Sequence, residues 1–274
     1  MMNLLKDLEE ALVSLRQTKP LVLCLTNFVT MEFMANSLLA SGAAPLMSQA
    51  MDEMEELITI SQVVNINLGT LDHAFYERAL ESAKIAKSQN KPVVLDPVGA
   101  GASRIRTSAA KSLLPHVDII RGNASEILAL SDEAGDTKGV ESARSVNQAM
   151  NAAQQLAVSP SKIVVVSGPV DFITDGRQAI NLPFGSPLMP LVTGMGCTLT
   201  AVIAAFAAIG LSMYQAALLA TAYFGLCGQL TQHKTQGPGG FRQVFIDKLY
   251  KPDWELFGEW IAGSEIVDSF NSIN

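Results

Sequence analysis

Short apolar runs alternate with helical stripes along most of the chain. The runs at residues 21–25 (LVLCL), 63–66 (VVNI), 93–95 (VVL), 117–120 (VDII) and 163–166 (IVVV) each stop at polar or turn residues. Runs of this kind suit strands buried on both faces of a parallel sheet. Between them, Leu4, Leu8, Ala11, Leu12 and Leu15 recur at helical spacing, and residues 31–41 form a second stripe ending at Gly42, a good C-terminal residue. Asp72 caps a third helix running to about Gln89, and residues 142–157 supply a fourth.

This order predicts an α/β fold with a mostly parallel central sheet and helices on both faces. Residues 171–184 depart from it. Phe172-Ile173-Thr174 and Ala179-Ile180-Asn181-Leu182 flank Asp175-Gly176, a hairpin signal that adds an antiparallel edge. There is no repeat or low-complexity linker, so residues 1–274 are expected to form a single domain.

Charge changes the picture in one place. The chain has 26 acidic and 19 basic residues, and none of them falls in residues 178–232. A spanning helix needs about 20 consecutive apolar residues. Prolines 183, 187 and 190 interrupt the first part of the stretch, and residues 198–209 are too few. Residues 213–230 are Ala-rich, contain Gln215 and Gln229, and have no flanking basic cluster. Buried helices rather than membrane spans are expected. The acidic balance argues against nucleic acid. Residues 3–17 lack an export signal. Cys24, Cys197 and Cys227 are too few and too widely spaced for a disulfide framework. A cytoplasmic location fits.

Ligands of open parallel sheets bind beyond the carboxyl ends of the strands. There this chain carries Thr26-Asn27, Gly69-Thr70, Asp96-Pro97-Val98-Gly99, Arg121-Gly122-Asn123 and Ser167-Gly168. Thr193-Gly194-Met195-Gly196-Cys197 enters an apolar helix. Its glycines allow close backbone approach, and the helix start adds about half a positive charge, which suits a phosphoryl group. A tight turn entering a buried helix accounts for the same residues without a ligand. Asp96 and Glu126 are the best-placed carboxylates, although Asn123-x-x-Glu126 also reads as a helix capping box. Arg121 needs an anionic partner: a nucleotide phosphate, Glu126 or Asp96. No Walker-type phosphate loop occurs. His73, His116 and His233 read as surface residues, and Cys24 and Cys227 as buried apolar ones.

Several blocks together carry a resemblance. Residues 20–47 (PLVLCLTNFVTMEFMANSLLASGAAPLM), 95–101 (LDPVGAG), 121–127 (RGNASEI), 168–176 (GPVDFITDG), 192–199 (VTGMGCTL) and 237–241 (GPGGF) stand in order along nearly the whole chain. In them the chain resembles the hydroxyethylthiazole kinases, a group of ribokinase-like kinases. The resemblance implies a ribokinase-like layered fold and ATP- and Mg²⁺-dependent phosphorylation of the hydroxyl of 4-methyl-5-(2-hydroxyethyl)thiazole, a step of thiamine salvage. It also implies a homotrimer with sites between subunits, whose neighbours are expected to cover part of residues 213–230.

Carried over by motif, Arg121 and Ser167 contact ATP, and Asp96 and Glu126 organise Mg²⁺. Met47, Gly194 and Asn27 touch the thiazole, and Gly194, Met195, Gly196 and Cys197 hold the transferring phosphoryl group. Cys197 stands where many ribokinase-like enzymes place an aspartate base. It is either a modest base, with its pKa lowered by the helix start, or a residue that shapes the pocket. Met195 and Ser167 stand where threonine is common, and Gly240 replaces a frequent small hydroxyl residue. A kinase for another small alcohol, such as a hydroxymethylpyrimidine, and a non-catalytic thiazole-binding protein remain alternatives.

Overall fold

The structure is a computed structural model that describes residues 3–131, 143–158, 162–264 and 266–270. Among the described residues, nine strands form one sheet: β1 (Leu21–Leu25), β2 (Ala44–Leu46), β3 (Val63–Asn67), β4 (Val93–Asp96), β5 (Ile119–Asn123), β6 (Ile163–Ser167), β7 (Asp171–Thr174), β8 (Gln178–Leu182) and β9 (Val267–Phe270). Their order is β2-β1-β3-β4-β5-β6-β7-β8-β9. The first six are parallel, and the last three continue the sheet antiparallel.

The expected hairpin is β7–β8, with Ile173 opposite Ile180, but β9 pairs beyond it and takes the edge. β2 is a further addition. Its three residues include a proline, which confines it to an edge position beside β1.

Strand residues alternate between two cores, as the period of two requires. Val22, Cys24, Val63, Val94, Ile119 and Val165 face one layer, which holds α1 (Leu4–Thr18), α2 (Met31–Ser41), α8 (Met195–Ala207), α9 (Met213–Gln232), α10 (Pro238–Tyr250) and α11 (Trp254–Gly263). Leu23, Leu25, Val64, Ile66, Leu95 and Val164 face the other, which holds α3 (Met54–Ile60), α4 (His73–Ser88), α5 (Arg104–Leu113), α6 (Ala124–Leu130) and α7 (Ala143–Val158). The result is the three-layered α/β/α arrangement anticipated from the apolar pattern. Asp72 caps α4 by accepting a hydrogen bond from the Phe75 N–H, and Gly42 ends α2 with a left-handed φ of 111°. Position 142, taken above as the first residue of α7, lies outside the described residues.

The charge-free stretch holds β8 and then α8 and α9, and the two helices pack on each other in the first core. Among the described residues, no helix is long and apolar enough to cross a membrane. One expectation needs correcting. Nearly every residue of α9 from Ala216 to Thr231 is already buried within the single chain, because α1, α8 and α10 cover it. Its apolar circumference therefore needs no neighbouring subunit.

Candidate active site

Six parallel strands point their carboxyl ends the same way, and five of those ends supply the polar residues of one cluster. Asn27 follows β1, while Asn67 ends β3 and Asp96 ends β4. Arg121 and Asn123 lie within β5, and Ser167 ends β6. The N-terminus of α8 lies against them.

Arg121 was expected just beyond a strand. It is instead part of β5, opposite Val165, and Asn123 pairs with Ser167 two residues on. Strand pairing carries on through the Arg-Gly-Asn segment because β6 continues beside it. The register therefore fixes the Arg121 backbone, and its Nε donates to Ser167 Oγ at 2.7 Å. One terminal nitrogen lies 3.7 Å from Asp96 Oδ2.

The guanidinium also packs on the start of α8: a Cβ built on Gly196 would lie 2.5 Å from Arg121 Nη1. Gly194 is the N-cap of α8, with φ 91°, and no side chain caps the helix. The first turn holds no acidic residue. The N–H groups of Gly196 and Cys197 have no intrahelical carbonyl to meet. A cation thus sits beside the positive end of a helix dipole, a pairing that favours an anion between them. Met195 is buried in the core below the turn.

Asp96 is 1 % exposed and asymmetrically held. Its Oδ2 accepts from Asn67 Nδ2 at 2.8 Å and from Thr200 Oγ1 at 3.0 Å. Its Oδ1 is buried, and among the described residues it has no hydrogen-bond partner. Burial pushes the carboxyl up to about 6, against the pull of Arg121, and the charge of nearby Glu126 adds to the rise.

Glu126 does form the capping box. Its Oε2 accepts from Asn123 N–H at 2.8 Å, and Asn123 Oδ1 accepts from Glu126 N–H at 3.0 Å. Its Oε1 also accepts from Gly99 N–H at 2.9 Å, so the same carboxylate ties the loop after β4 to the start of α6. The cap and a place beside Asp96 are compatible, since each oxygen keeps a lone pair.

Cys197 lies in the first turn of α8 and receives a hydrogen bond from Asn27 Nδ2 at 3.4 Å. Its thiol is raised above the ordinary value, first by burial and then by the charge of Asp96. The direction is opposite to the lowering expected from the helix start: the pulls that do lower it, hydrogen bonds from Asn67 and Asn27 and the charge of Arg121, are outweighed by burial and Asp96. Met47 follows β2, half-buried against the core that also receives Cys197. His73 and His233 are exposed, and His116 is half-buried behind β5, at the other end of the sheet.

Reading the sequence alone missed Asn67, Thr200 and Thr30. Asn67 was visible as a polar residue closing an apolar strand. Thr200 sits inside an apolar helical run three residues after Cys197, and nothing local distinguishes it from a helix-interior threonine.

A family model described as the hydroxyethylthiazole kinase family matches residues 12–255. A hydroxyethylthiazole kinase of Chlamydia caviae is 46 % identical over 254 residues, 92 % of this chain and 97 % of that protein. One from Desulfotalea psychrophila is 42 % identical over 252 residues, 91 % of this chain and 92 % of that protein. Among solved structures, a hydroxyethylthiazole kinase protein from Pyrococcus horikoshii superposes with a TM-score of 0.87 at 34 % identity, covering 96 % of this chain and 99 % of the other. The ADP complex of Staphylococcus aureus pyridoxal kinase gives 0.60 at 18 % identity over 77 % of this chain and 88 % of the other, a likeness of fold alone.

Proposed function

The chain belongs to the hydroxyethylthiazole kinase family, and from that premise we propose how its own residues carry the reaction. It phosphorylates the hydroxyl of the thiazole alcohol 4-methyl-5-(2-hydroxyethyl)thiazole, with ATP as co-substrate, in thiamine salvage. In the transfer, the alcohol oxygen bonds to the γ-phosphorus, the bond to the bridging β–γ oxygen breaks, ADP leaves and the hydroxyl proton is released.

The observation that carries the site assignment is the Arg121 guanidinium packed on the uncapped start of α8. Phosphoryl transfer asks mainly for positioning and charge neutralisation. Arg121, braced by Ser167, and the N–H groups of Gly196 and Cys197 provide both for the γ-phosphoryl oxygens. Gly194 and Met195 give the loop its turn and its anchor in the core.

The residues present also fit Mg²⁺. The partnerless Asp96 Oδ1 is a buried acceptor awaiting a donor or a cation, and Glu126 stands close enough to raise its pKa. Among the described residues there is no cluster of three or more metal-ligating side chains. Magnesium held by one or two carboxylates, waters and phosphate oxygens does not require one. Bound there, Mg²⁺ would neutralise charge on the phosphate chain. Asp96 and Glu126 would hold it.

Asn27, Met47 and Gly194 border the alcohol. Cys197, kept as a thiol by burial, positions the hydroxyl beside the phosphate loop. A loose transition state needs little help from a base.

The working assembly in this reading is a homotrimer with sites at subunit boundaries. Phe28 and Val29, 57 % and 68 % exposed, follow Asn27 directly, and Leu191, 64 % exposed, leads into the Gly194 turn. Apolar side chains left open beside a site are what a neighbouring subunit would cover. The cytoplasm is the proposed location, in keeping with three free cysteines.

The test is ADP release from Mg-ATP with the thiazole alcohol, with a hydroxymethylpyrimidine and with no acceptor. Release confined to the thiazole arm is the expected result. Release only with the pyrimidine would assign a different alcohol. Thiazole binding without ADP release would leave a binding protein.

A further inference from the structure

A one-way hydrogen-bond chain runs beneath the site, across the ends of three neighbouring strands. Thr30 supplies its start. Its backbone N–H and its Oγ1 both meet Asn27 Oδ1, at 3.1 and 3.0 Å. A backbone N–H can only donate, so the Asn27 amide is fixed with its oxygen toward Thr30 and its nitrogen toward the site. That Nδ2 donates to Asn67 Oδ1 at 2.8 Å. The Gly69 N–H also donates to Asn67 Oδ1, at 3.0 Å, and fixes the second amide independently. Asn67 Nδ2 is then left to donate to Asp96 Oδ2 at 2.8 Å.

Asn67 is fully buried, and either amide flip would set donor against donor. The chain ends on an acceptor and engages only one of the two Asp96 oxygens. Thr200 Oγ1 holds the same oxygen from the α8 side. Oδ1, with no partner, is the oxygen left over. The Asn27 amide that feeds the chain also donates to Cys197 Sγ.

We propose that Asn67 is a positioning residue: it pins Asp96 by Oδ2 so that Oδ1 is presented to the metal–nucleotide complex, and together with Asn27 it keeps that carboxylate in register with Cys197. This rests on the assignment of Asp96 to Mg²⁺ made above. Asn67 itself touches neither substrate.

The experiment is isothermal calorimetry of ADP binding with Mg²⁺ and with EDTA, on wild type, Asp96→Asn and Asn67→Ala, alongside steady-state kinetics. The quantity read is the gain in ADP affinity that Mg²⁺ confers. In wild type the gain is present, and Asp96→Asn removes most of it. Asn67→Ala is expected to lower the gain at least fivefold and kcat at least thirtyfold, with KM for the thiazole alcohol changed less than threefold. If Asp96→Asn leaves the gain intact, the metal assignment fails. If Asp96→Asn removes the gain and Asn67→Ala does not, the positioning role is overturned whatever happens to kcat. Asn67→Leu is close to asparagine in size, has no donor for Asp96 Oδ2, and takes the place of the alanine variant should that one not fold. The same fivefold loss is expected, and an unchanged gain again overturns the role.

Discussion

Gly196 and Arg121 approach so closely that a single methyl group on the first would displace the second. The Cβ position of Gly196 lies 2.5 Å from Arg121 Nη1 and 2.9 Å from Nη2. Gly196 needs no unusual backbone angle, since its φ is not positive. Alanine there has better helix propensity than glycine. The obstructed atoms belong to the end of a flexible side chain that can swing away. That swing gives up the Ser167 hydrogen bond and the contact with Asp96, so Gly196→Ala should lower the melting temperature modestly, by about a few degrees. Removing a preorganised donor from a developing oxyanion costs about 10²–10³ in rate in other enzymes, and a loss of about 10² in kcat/KM for ATP is expected here. Steady-state kinetics beside a thermal melt checks this. Activity within threefold of wild type would mean that the guanidinium is not needed where it lies.

Gly194 makes the opposite demand. It combines φ 91° with a Cβ position 2.6 Å from Thr30 Cγ2 and 3.0 Å from Thr30 Cβ. Gly210 has a similar φ of 84° but open space around it. The pair separates backbone strain from collision. Gly210→Ala should cost about 1 kcal/mol from the left-handed backbone alone, and Gly194→Ala about 3 kcal/mol once overpacking is added. Urea unfolding of both variants reads the difference. Equal losses would show that Thr30 yields freely.

The sequence pattern revealed the frame more fully than the chemistry. The ends of β1, α2 and α4 fall where the apolar runs, Asp72 and Gly42 put them. Continuous apolar strands and side-chain caps are local signals, and they survive folding unchanged. β2 and β9 escaped because a three-residue strand with a proline and a short segment near the chain end owe their form to a neighbour. The site followed the same rule. Arg121, Asp96 and the Gly194 turn were visible because strand ends and glycines mark them. The Asn27–Asn67–Asp96 chain was not, because it joins residues 40 and 29 positions apart. Cys197 shows how burial can defeat a local argument: a helix start favours a lowered thiol, yet desolvation and the charge of Asp96, both set by the tertiary fold, leave it raised.

Asp171 opens β7 nearly buried, where it accepts a hydrogen bond from Gly168 N–H at 3.0 Å. Burial pushes its carboxyl up to about 6, while that hydrogen bond and the charge of Arg121 pull the other way. The unfolded group titrates near 3.9. Between about pH 4 and pH 6 the folded chain therefore holds more of this proton than the unfolded chain, so stability falls as pH rises through this window and levels off above it. Asp171→Asn keeps an acceptor for Gly168 and removes the proton. Relative to wild type it should gain about 2 kcal/mol between pH 4 and pH 7. Asp96, also pushed up to about 6, contributes a slope of the same sign to both proteins and cancels in the comparison. Denaturant midpoints at several pH values test this, and parallel curves for the two proteins would refute it.

Substitution of Cys197 distinguishes a base from a positioning thiol. A positioned general base contributes about 10²–10⁴ in rate, so its removal would be plain in kcat. The raised thiol pKa leaves little thiolate at neutral pH, and Asn27 already donates to the sulfur. Cys197→Ala should therefore lower kcat by about tenfold or less, with a comparable rise in KM for the alcohol as the pocket wall recedes. Cys197→Asp puts a second carboxyl close enough to Asp96 to feel its charge. It should shift turnover by more than twofold in one direction or the other. A fall of a hundredfold or more in the alanine variant, with KM unchanged, would make Cys197 the base. Turnover unaltered by aspartate would place the sulfur away from the reacting hydroxyl.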